Sequence, residues 1–379
     1  MSSPPMSSRQ DSPLLSICIP TYNNASNLQK VLNHVLELEY SHLEVLVCDD
    51  APKEEDTAEV IEGFQDPRLR YIENERNIGY EKNLFQCLKI AEGQYLMPLA
   101  DEDKIVQESL NWVFDCIEDT HSEFTSIVAG YGLSENYDWD ESVPDEQSFD
   151  SGLDSLSAFV TLVPHPFANH TWRRNYIGGM VLKADAIDLE IAQEYYGSLY
   201  IHNVLMLQAM VAGKTIISSR HLSIVDYYQY EGEHRFWSDF EWSDLELRMK
   251  LQKYRMKAVD EVLENDECKS LFIDIETRFA AQLAAWATLQ KDTSYRRIRE
   301  IALSEDIRPL HDIWNSASFT RGYYYYLLVL PLPIDYYKRN VQDGVIPKRA
   351  FQVWYHFLAR IIPDTVDHRI REWYLNTLS

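Results

Sequence analysis

SICIPTYNN at residues 16–24 and EVLVCDD at residues 44–50 open the stretch that decides the fold of this chain. Each is a short apolar run that ends in polar residues, which is typical of a buried strand. Between them, from Leu28 to Leu36, the apolar residues recur at helical spacing and predict an amphipathic helix. The chain therefore begins as strand, helix, strand.

This alternation continues to about residue 105. Residues 69–72 and 95–99 read as further strands, and residues 80–91 carry apolar side chains on one helical face. Strands that alternate with helices at this spacing predict an α/β fold with a mostly parallel sheet. Such a sheet binds ligands beyond the carboxyl ends of its strands, and polar residues follow the strands there, at Thr21, at Asp49–Asp50 and at 101–103.

Two common nucleotide-binding motifs are missing. A dinucleotide-binding domain requires G-x-G-x-x-G after its first strand, but residues 20–24 read PTYNN. Residues 213–215, GKT, imitate the end of a P-loop, yet Gln208 stands where that motif requires glycine. The remaining interpretation is an acidic site that chelates a hard divalent ion and, through the ion, a diphosphate.

Length and charge restrict the function further. The chain has 379 residues, enough for two domains, and 45% of them are hydrophobic, which excludes a disordered chain. Its net charge of −25 makes it repel polyanions, so nucleic acid is excluded as a partner. A bound metal ion would invert the sign of the local charge and let so acidic a protein hold a nucleotide.

The five cysteines are widely spaced and include no C-x-x-C pair, so neither a disulfide framework nor a zinc site is predicted. Residues 1–13 read as a flexible tail rather than a signal peptide, and no apolar run reaches the length of a spanning helix. We expect a cytoplasmic protein, with peripheral contact at the inner face of the membrane left open.

The blocks at 16–24, 44–50, 76–96 and 99–105 together resemble family 2 glycosyltransferases with the GT-A fold. The N-x-G-x-x-x-N spacing of Asn77, Gly79 and Asn83 is most similar to abequosyltransferase-like enzymes that build surface polysaccharides. The resemblance is dense over residues 14–110 and thin beyond them. It implies a transferase that takes a hexosyl or deoxyhexosyl group from a nucleotide-diphosphate sugar.

The resemblance also implies roles for individual residues. Asp101 and Asp103 would form the D-x-D pair that binds Mn²⁺ or Mg²⁺, and Asp103 would take part in catalysis. The residues expected to bind the nucleotide or its ion are Pro20, Thr21, Tyr22, Asp49, Asp50, Asn77, Asp101 and Glu102. Asn77 and Asn83 have an equally good interpretation as loop braces. The family continues Asp-Asp with Gly-Ser, whereas Ala51-Pro52 follow here, so nucleotide preference does not carry over.

A general base is sought in the acceptor half. Family members that invert the anomeric carbon place an aspartate about eleven residues before a glycine, and counting back from Gly213 reaches His202. An imidazole with a pKa near ~6.5 can accept a hydroxyl proton at neutral pH. His202 is therefore the first candidate, against the alternative of an ordinary helix-start histidine. Glu194 is the second candidate and Asp185 the third.

Other features of this half have weaker signals. A strand is predicted at 123–132, a solvated acidic loop at 134–155, and a glycine-containing strand at 176–182. Five further side chains could contact the acceptor or the diphosphate, or lie on the surface: His165, His170, Trp172, Arg173 and Arg174.

The predicted domains are a tail at 1–13, a GT-A domain at 14–235 and an α-helical domain at 240–379. Within the GT-A domain, residues 14–110 form the nucleotide-sugar half and residues 111–235 the acceptor half. The aromatic segment at 319–337 favours core or a partner interface, including a homo-oligomer, over a membrane contact.

The resulting hypothesis is a metal-dependent, inverting glycosyltransferase that acts on a hydroxyl of a glycan, lipid-linked or protein acceptor in polysaccharide or glycoconjugate synthesis. One alternative is a sugar-nucleotide or glycan-binding module without catalysis, because His202 stands where an acid is expected. The other alternative is a nucleotidyltransferase, which shares this type of sheet. Such an enzyme normally has a glycine-rich, basic loop after the first strand, and this sequence lacks one there.

Overall fold

The computed structural model describes residues 14–50, 57–119, 123–132, 146–150, 152–161, 177–198, 201–225, 245–263, 266–290, 295–304 and 306–329. The described residues up to 225 belong to one compact unit and those from 245 onward to a second. The predicted domain boundary at 235–240 lies outside the described residues, as do the tail at 1–13, the five side chains at 165–174 and the segment beyond 329.

The first half of unit one is a parallel sheet with helical crossovers. Its elements are β1 (Leu15–Thr21), α1 (Ala25–Leu36), β2 (Leu43–Asp49), α2 (Thr57–Glu62), β3 (Leu69–Glu73), α3 (Tyr80–Ile90) and β4 (Tyr95–Pro98). The strands lie in the order β3-β2-β1-β4, and all three pairings are parallel. Every residue of β1 and β2 is buried, as expected for strands covered on both faces.

The second half extends the same sheet with mixed pairing. Its elements are β5 (Lys104–Ile105), α4 (Gln107–Glu118), β6 (Ser126–Gly132), β7 (Glu146–Phe149), α5 (Gly152–Thr161), β8 (Met180–Lys183), α6 (Leu189–Gln193), α7 (Ile201–Ala212) and β9 (Thr215–Ile224). The order continues from β4 as β8-β6-β9-β5, with β7 on β9. Strand β8 is antiparallel to both of its neighbours, whereas β6 and β9 are parallel.

The amino-terminal edge of the sheet is closed by a buried carboxylate, that of Glu44, which is 4% exposed. It accepts hydrogen bonds from Ser16 Oγ and from the backbone N–H of Glu92, and it forms an ion pair with Arg70. The N–H of Gly93 donates to Ser16 Oγ at 2.8 Å. This amino-edge network ties the turn between α3 and β4 to the starts of β1, β2 and β3.

The second unit is helical. It contains α8 (Leu245–Val262), α9 (Asp266–Gln290), α10 (Tyr295–Ala302), α11 (Arg308–Asn315) and α12 (Ala317–Val329). Inside it, Glu276 is fully buried and forms a two-pronged ion pair with Arg255, at 3.0 and 3.1 Å, and Gln252 links this pair to Trp314. A satisfied polar network of this kind fixes how helices register in a core.

The predicted α/β fold of GT-A type with a helical C-terminal extension is confirmed. The strands and helices expected up to residue 99 end within about three residues of their observed positions. Two predictions were incomplete: the sheet is mixed beyond β4, and the acidic loop expected at 134–155 contains β7. Strand β7 lacks apolar alternation because its first three residues are exposed on an edge. No helix of the described residues has the length and apolarity to cross a membrane, and Cys18, Cys48, Cys87 and Cys116 are free thiols.

Candidate functional site

The carboxyl ends of β1, β2 and β4 bring the predicted nucleotide residues to one edge of the sheet. Thr21 pairs in register with Asp49, and the backbone of Asp50 continues the ladder by donating to Thr21 O at 2.9 Å. Residue 99 bonds to the neighbouring strand β1, which brings the 101–103 turn to the same edge. Pro20 is buried at the end of β1, whereas the ring of Tyr22 is 42% exposed. The structure thus assembles a carboxyl-edge site from three separated blocks.

The acidic pair of this site is buried. Asp101 is 8% exposed and Asp103 is fully buried, while Glu102 between them is half-buried. Thr21 Oγ1 donates to Asp101 Oδ2 at 2.5 Å. Within the described part of the chain, no lysine, arginine or histidine forms an ion pair with Asp101. Its negative charge is therefore balanced by a hydroxyl dipole alone.

Asp49 is the second buried carboxylate here, and its pKa is raised from 3.8 to about 6. Burial is the main cause, and the charges of Glu73 and Asp101 add to it, while hydrogen bonds from Thr57 and Tyr71 act in the opposite direction. The Tyr71 hydroxyl lies 3.0 Å from Asp49 Oδ2. The charges of Glu73 and Asp101 thus make the electrostatic field at Asp49 more negative.

Tyr80 lies near the acidic residues of this site, which are called the acidic group below: Glu81, Asp101, Glu102 and Asp103. Burial raises the pKa of its hydroxyl well above the usual value, and the charges of Glu81, Glu102, Asp103 and Asp101 raise it further. A neutral phenol among carboxylates can donate a hydrogen bond without adding charge. Sequence reasoning missed Tyr80 because it lies one residue after a helix cap, where an aromatic side chain carries no specific signal.

Asp50 holds a loop. Its carboxylate accepts the backbone N–H groups of Ile78 and Gly79, both at 2.8 Å, and the Asn74 amide at 3.1 Å. Asn77 is exposed, and its Oδ1 accepts from the same Gly79 N–H at 3.0 Å. Gly79 has a φ of 89°, a conformation that other residues resist. These bonds explain the glycine and shape the loop between β3 and α3.

Asn83 connects three strand ends. Its amide nitrogen donates to Cys48 O at 2.7 Å and to Thr21 O at 3.3 Å, and its oxygen accepts from Asn74 at 3.0 Å. It is 2% exposed. The interpretation of Asn83 as a loop brace accounts for every one of these contacts.

The chain leading to His202 is anchored beside this edge. Glu81, in the first turn of α3, is 8% exposed and accepts from Gly197 N–H and from Ser198 Oγ. His202 follows Ser198 by four residues, lies in the first turn of α7 and is 6% exposed. Because Glu81 is adjacent to Tyr80, this contact brings the start of α7 toward the acidic group.

The two other base candidates differ in position. Asp185 pairs with Lys183, whose register partner is Tyr95, the first residue of β4, so Asp185 lies at the edge of the sheet opposite to the site. Its candidacy fails for that reason. Glu194 is exposed at the end of α6, three residues before Gly197, and stays on the side of the site.

The predicted glycine strand supplies a further part of the site. Gly178 belongs to a 3₁₀ turn, Ile177–Gly179, that immediately precedes β8. A Cβ atom at residue 178 would lie 2.4 Å from Ser223 Oγ and 3.2 Å from Asp103 Oδ2. Any side chain at residue 178 would overlap Ser223, so only glycine lets this turn pack so closely against Ser223 and Asp103.

The donor chemistry fits a hard divalent ion. Asp101 and Asp103 offer carboxylate oxygens, and Ser223 offers a fully buried hydroxyl near Asp103. Among the described residues, no group of three or more His, Cys, Asp or Glu side chains is arranged to bind a metal ion on its own. Mg²⁺ in particular is bound by one or two carboxylates together with substrate phosphates, which matches a partial set of protein ligands.

Comparison with known proteins shows what this part of the chain is similar to. The profile described as "Glycosyl transferase family 2" matches residues 16–175. The chain is 27% identical over 133 residues to "Glycosyltransferase GlyG" of Streptococcus pneumoniae serotype 4, covering 35% of this chain and 42% of that protein. It is 29% identical over 101 residues to "Abequosyltransferase RfbV" of Salmonella typhimurium, covering 26% of this chain and 30% of that protein.

Among solved structures, S. aureus TarS 1-349 in complex with UDP-GlcNAc has a TM-score of 0.56 at 16% identity, covering 83% of this chain and 90% of that one. This likeness concerns the fold. The sequence matches span less than half the length of GlyG and RfbV. Residues 16–175 of this chain are thus similar in sequence to glycosyltransferase family 2.

Proposed function

We propose that the protein transfers a sugar from a nucleotide-diphosphate donor to an acceptor hydroxyl, with inversion at the anomeric carbon and with a divalent ion bound at Asp101 and Asp103. The observation that carries the proposal is the burial of both carboxylates at one edge of the sheet, where Thr21 is the one hydrogen-bond partner of Asp101 among the described residues. A buried carboxylate without a cation is costly, and a bound ion relieves that cost.

The pocket residues divide into those that contact the donor and those that hold the pocket. The exposed ring of Tyr22 offers a stacking surface for the base, and Pro20 and Thr21 form the floor beside it. Asp49 lies at the end of β2, toward the base or ribose. Asp50 has both carboxylate oxygens in bonds to the 74–79 segment, so its role is to shape that loop.

In the proposed displacement, the acceptor oxygen bonds to the anomeric carbon, the bond from that carbon to the phosphate oxygen breaks, and the nucleoside diphosphate leaves. His202 accepts the proton of the acceptor hydroxyl. Mn²⁺ or Mg²⁺, when bound, supplies positive charge that neutralises the departing diphosphate. Tyr80 is placed to donate to an oxygen of the acidic group or of the diphosphate.

Hydrolysis and transfer assays test the proposal directly. We expect UDP-, GDP-, dTDP- or CDP-sugars to raise the melting temperature when Mn²⁺ is present, because a ligand of the folded form stabilises it. Turnover of the stabilising donor should need Mn²⁺ and should disappear in Asp103→Asn. Stabilisation by no donor, with or without Mn²⁺, would refute the proposal.

A second candidate function is a binding module without catalysis. It is favoured by His202, which stands where an acid is expected and is 6% exposed. Two measurements are needed, one for the role of His202 and one for the choice between the two functions. If the donor binds and His202→Ala turns it over as fast as the unmodified protein, His202 is not the base; if the donor binds and no acceptor ever receives a sugar, the protein is a binding module.

A further inference from the structure

A buried carboxylate joins helix α3 to the turn at residues 195–198, which leads toward helix α7. Glu81, in the first turn of α3, is 8% exposed. One of its carboxylate oxygens accepts from the backbone N–H of Gly197, and the other accepts from Ser198 Oγ at 3.1 Å. Burying a carboxylate is costly unless hydrogen bonds compensate it, and a charged acceptor forms hydrogen bonds roughly twice as strong as a neutral one. Glu81 therefore anchors this turn to α3.

Aromatic packing supports the same contact. The ring of Tyr196 lies edge-to-face with Phe85 of α3, with 5.8 Å between the ring centroids, and Lys82 Nζ lies 5.9 Å from the centre of the Tyr196 ring. Gly197 has a φ of 91°, a conformation that favours glycine, so the chain turns sharply at the residue whose N–H Glu81 binds. Three side chains of α3 thus hold this turn.

Helix α7 begins at the carboxyl edge of the sheet. Strand β8 is antiparallel to both β4 and β6, and β6 is parallel to β9, so β9 runs in the same direction as β4. Thr215, the first residue of β9, therefore lies at the amino edge, and the end of α7 directly precedes it in the chain. The start of α7, with His202 in its first turn, accordingly lies toward the carboxyl edge.

His202 follows the anchored turn closely in the chain. It comes four residues after Ser198, and four residues of chain reach at most about 14 Å. Its side chain is buried, so the packing around it depends on where the helix begins. A displacement of the 195–198 turn therefore displaces the first turn of α7.

The start of α3 is also built into the proposed donor pocket. Asp50, directly after β2, accepts the backbone N–H of Gly79 immediately before α3. Asn83, two residues after Glu81, donates to backbone oxygens at the ends of β1 and β2. Glu81 thus lies between the strand ends that form the donor pocket and the turn that leads to the candidate base.

We propose that Glu81 is a positioning residue: its bonds to Gly197 and Ser198 hold the first turn of α7, and with it His202, beside the donor pocket. The inference rests on the proposed function, because that function makes His202 the base. The carboxylate acts as an anchor, and its charge takes no part in the displacement. A misplacement of about 1 Å in a reacting group costs up to about 100-fold in rate.

Hydrogen–deuterium exchange of the full chain tests the anchor without any ligand. In Glu81→Ala, the backbone amides at the start of α7 should exchange at least about 10-fold faster, because two hydrogen bonds to a charged group are lost. Glu81→Gln should keep them protected, since its amide oxygen can accept from Gly197 N–H and its amide nitrogen can donate to Ser198 Oγ. Unchanged protection in Glu81→Ala would refute the anchor.

Release of the nucleoside diphosphate measures the effect on the reaction. UDP-, GDP-, dTDP- and CDP-glucose are each offered with Mn²⁺, and turnover is followed for the one that raises the melting temperature. We expect Glu81→Ala to lower kcat about 10- to 100-fold with little change in KM for the donor, and Glu81→Gln to keep most of the turnover. An equal loss in both variants would overturn the inference, because the charge and not the anchoring bonds would then matter.

A double-variant cycle shows whether Glu81 acts through His202. In the His202→Ala background, Glu81→Ala should cost far less turnover than it does in the unmodified protein, because the group that it positions is already gone. Two losses that multiply in full would show that Glu81 acts independently of His202 and would refute the positioning role.

Glu44 provides a matched control at the opposite edge of the sheet. It is also buried, and it also accepts from a serine hydroxyl and a backbone N–H. Measured well below its melting temperature, Glu44→Ala should keep the kcat of the unmodified protein and its slow exchange at the start of α7. If Glu81→Ala does not fold, Ser198→Ala, which removes one of the two bonds, is measured with the same expectation at a smaller size.

The outcomes separate the inference from the proposed function. If the unmodified protein turns over a donor and Glu81→Ala turns it over equally fast, the role of Glu81 is refuted and the proposed transferase stands. If none of the four sugar nucleotides is bound or turned over, the proposed function and the catalytic purpose of Glu81 both fail, and the exchange measurement alone decides whether the anchor exists.

Discussion

The two edges of the sheet in unit one each bury carboxylates, and they neutralise them differently. At the amino edge, Glu44 has a guanidinium, a backbone N–H and a hydroxyl as partners. At the carboxyl edge, the Tyr71 hydroxyl donates to Asp49 and the Thr21 hydroxyl donates to Asp101. A cation compensates the burial of a carboxylate at the amino edge, whereas at the carboxyl edge burial raises the pKa of Asp49 despite its hydrogen bond from Tyr71.

Buried carboxylates therefore serve two purposes in this sheet, one structural and one proposed to be functional. The amino-edge network is complete within the protein and holds the strand starts together. The carboxyl-edge site carries an electrostatic cost that a cationic ligand would remove. The predictions below weaken one edge or relieve the other.

The largest effect on stability is expected from Gly93→Ala at the amino edge. A Cβ there would lie 2.5 Å from Ser16 Oγ, 2.6 Å from Ser16 N and 2.9 Å from Tyr95 O, and two of these are backbone atoms that cannot move aside. We expect a loss of about 3 kcal/mol, or roughly 10 °C in melting temperature, by calorimetry. Gly63→Ala is the control, since its closest contact is 3.2 Å. Equal melting temperatures for the two variants would show that the amino edge tolerates displacement.

Asp103→Asn relieves the carboxyl edge and removes its proposed function. Mn²⁺ affinity should fall by at least about 100-fold, the upper end of what the loss of an outer-shell partner costs. The melting temperature without metal should not fall, because a charge is removed from an acidic group while the shape is kept. Asp115→Asn, an exposed acid on α4, should change neither quantity. Unchanged Mn²⁺ binding in Asp103→Asn would place the ion elsewhere.

Asp49→Asn tests the raised pKa. A group whose pKa is about 6 in the folded protein and about 3.8 in the unfolded chain contributes stability below pH 3.8, and that contribution is lost as the pH rises through 6. The variant should therefore be more stable than the unmodified protein by about 2 kcal/mol at pH 8, since one pKa unit corresponds to about 1.4 kcal/mol and asparagine accepts weaker hydrogen bonds.

The advantage of Asp49→Asn should vanish near pH 4, where Asp49 is protonated in the folded protein. Urea unfolding at both pH values measures it. A difference in stability that is the same at pH 4 and pH 8 would contradict the assignment of the effect to ionisation.

Arg70→Gln makes the amino edge more like the carboxyl edge and should have the smallest effect. The side chain of Arg70 is 37% exposed, and Glu44 keeps its bonds to Ser16 and Glu92. We expect a loss of about 1 kcal/mol in urea unfolding, since part of the ion pair is screened by water. A loss as large as that of Gly93→Ala would mean that the cation, and not the packing of the turn, holds this edge.

The sequence predicted best those elements whose pattern of apolar residues follows from burial alone. Strands β1 and β2 are buried along their whole length, so their apolar runs are continuous and unambiguous. Helix α2 and strand β7 were not predicted. The described residues of α2 include only one buried side chain, Thr57, and β7 is exposed, so neither carries an apolar pattern.

The candidate site was predicted in part. Asp101 and Asp103 were identifiable because they follow a buried strand in a block of recognisable spacing. Ser223 was not, because nothing in its own segment distinguishes it from any serine in a strand, and it meets Asp103 only near Gly178, which lies 45 residues away in the chain. The sequence did not exclude Asp185 as a general base. The antiparallel pairing of β8 with β4 excludes it, because it places Asp185 at the opposite edge of the sheet.

Local patterns of apolar and polar residues established the parallel first half of the sheet, the acidic turn after its fourth strand and the helical character beyond residue 240, since each depends on neighbours a few residues apart. Pairings between residues far apart in the chain decided the rest. They determined which acidic side chains share one electrostatic field, which asparagine braces three strand ends and which hydroxyl lies beside the acidic turn. Burial and charge act through space, and the folded chain sets those distances.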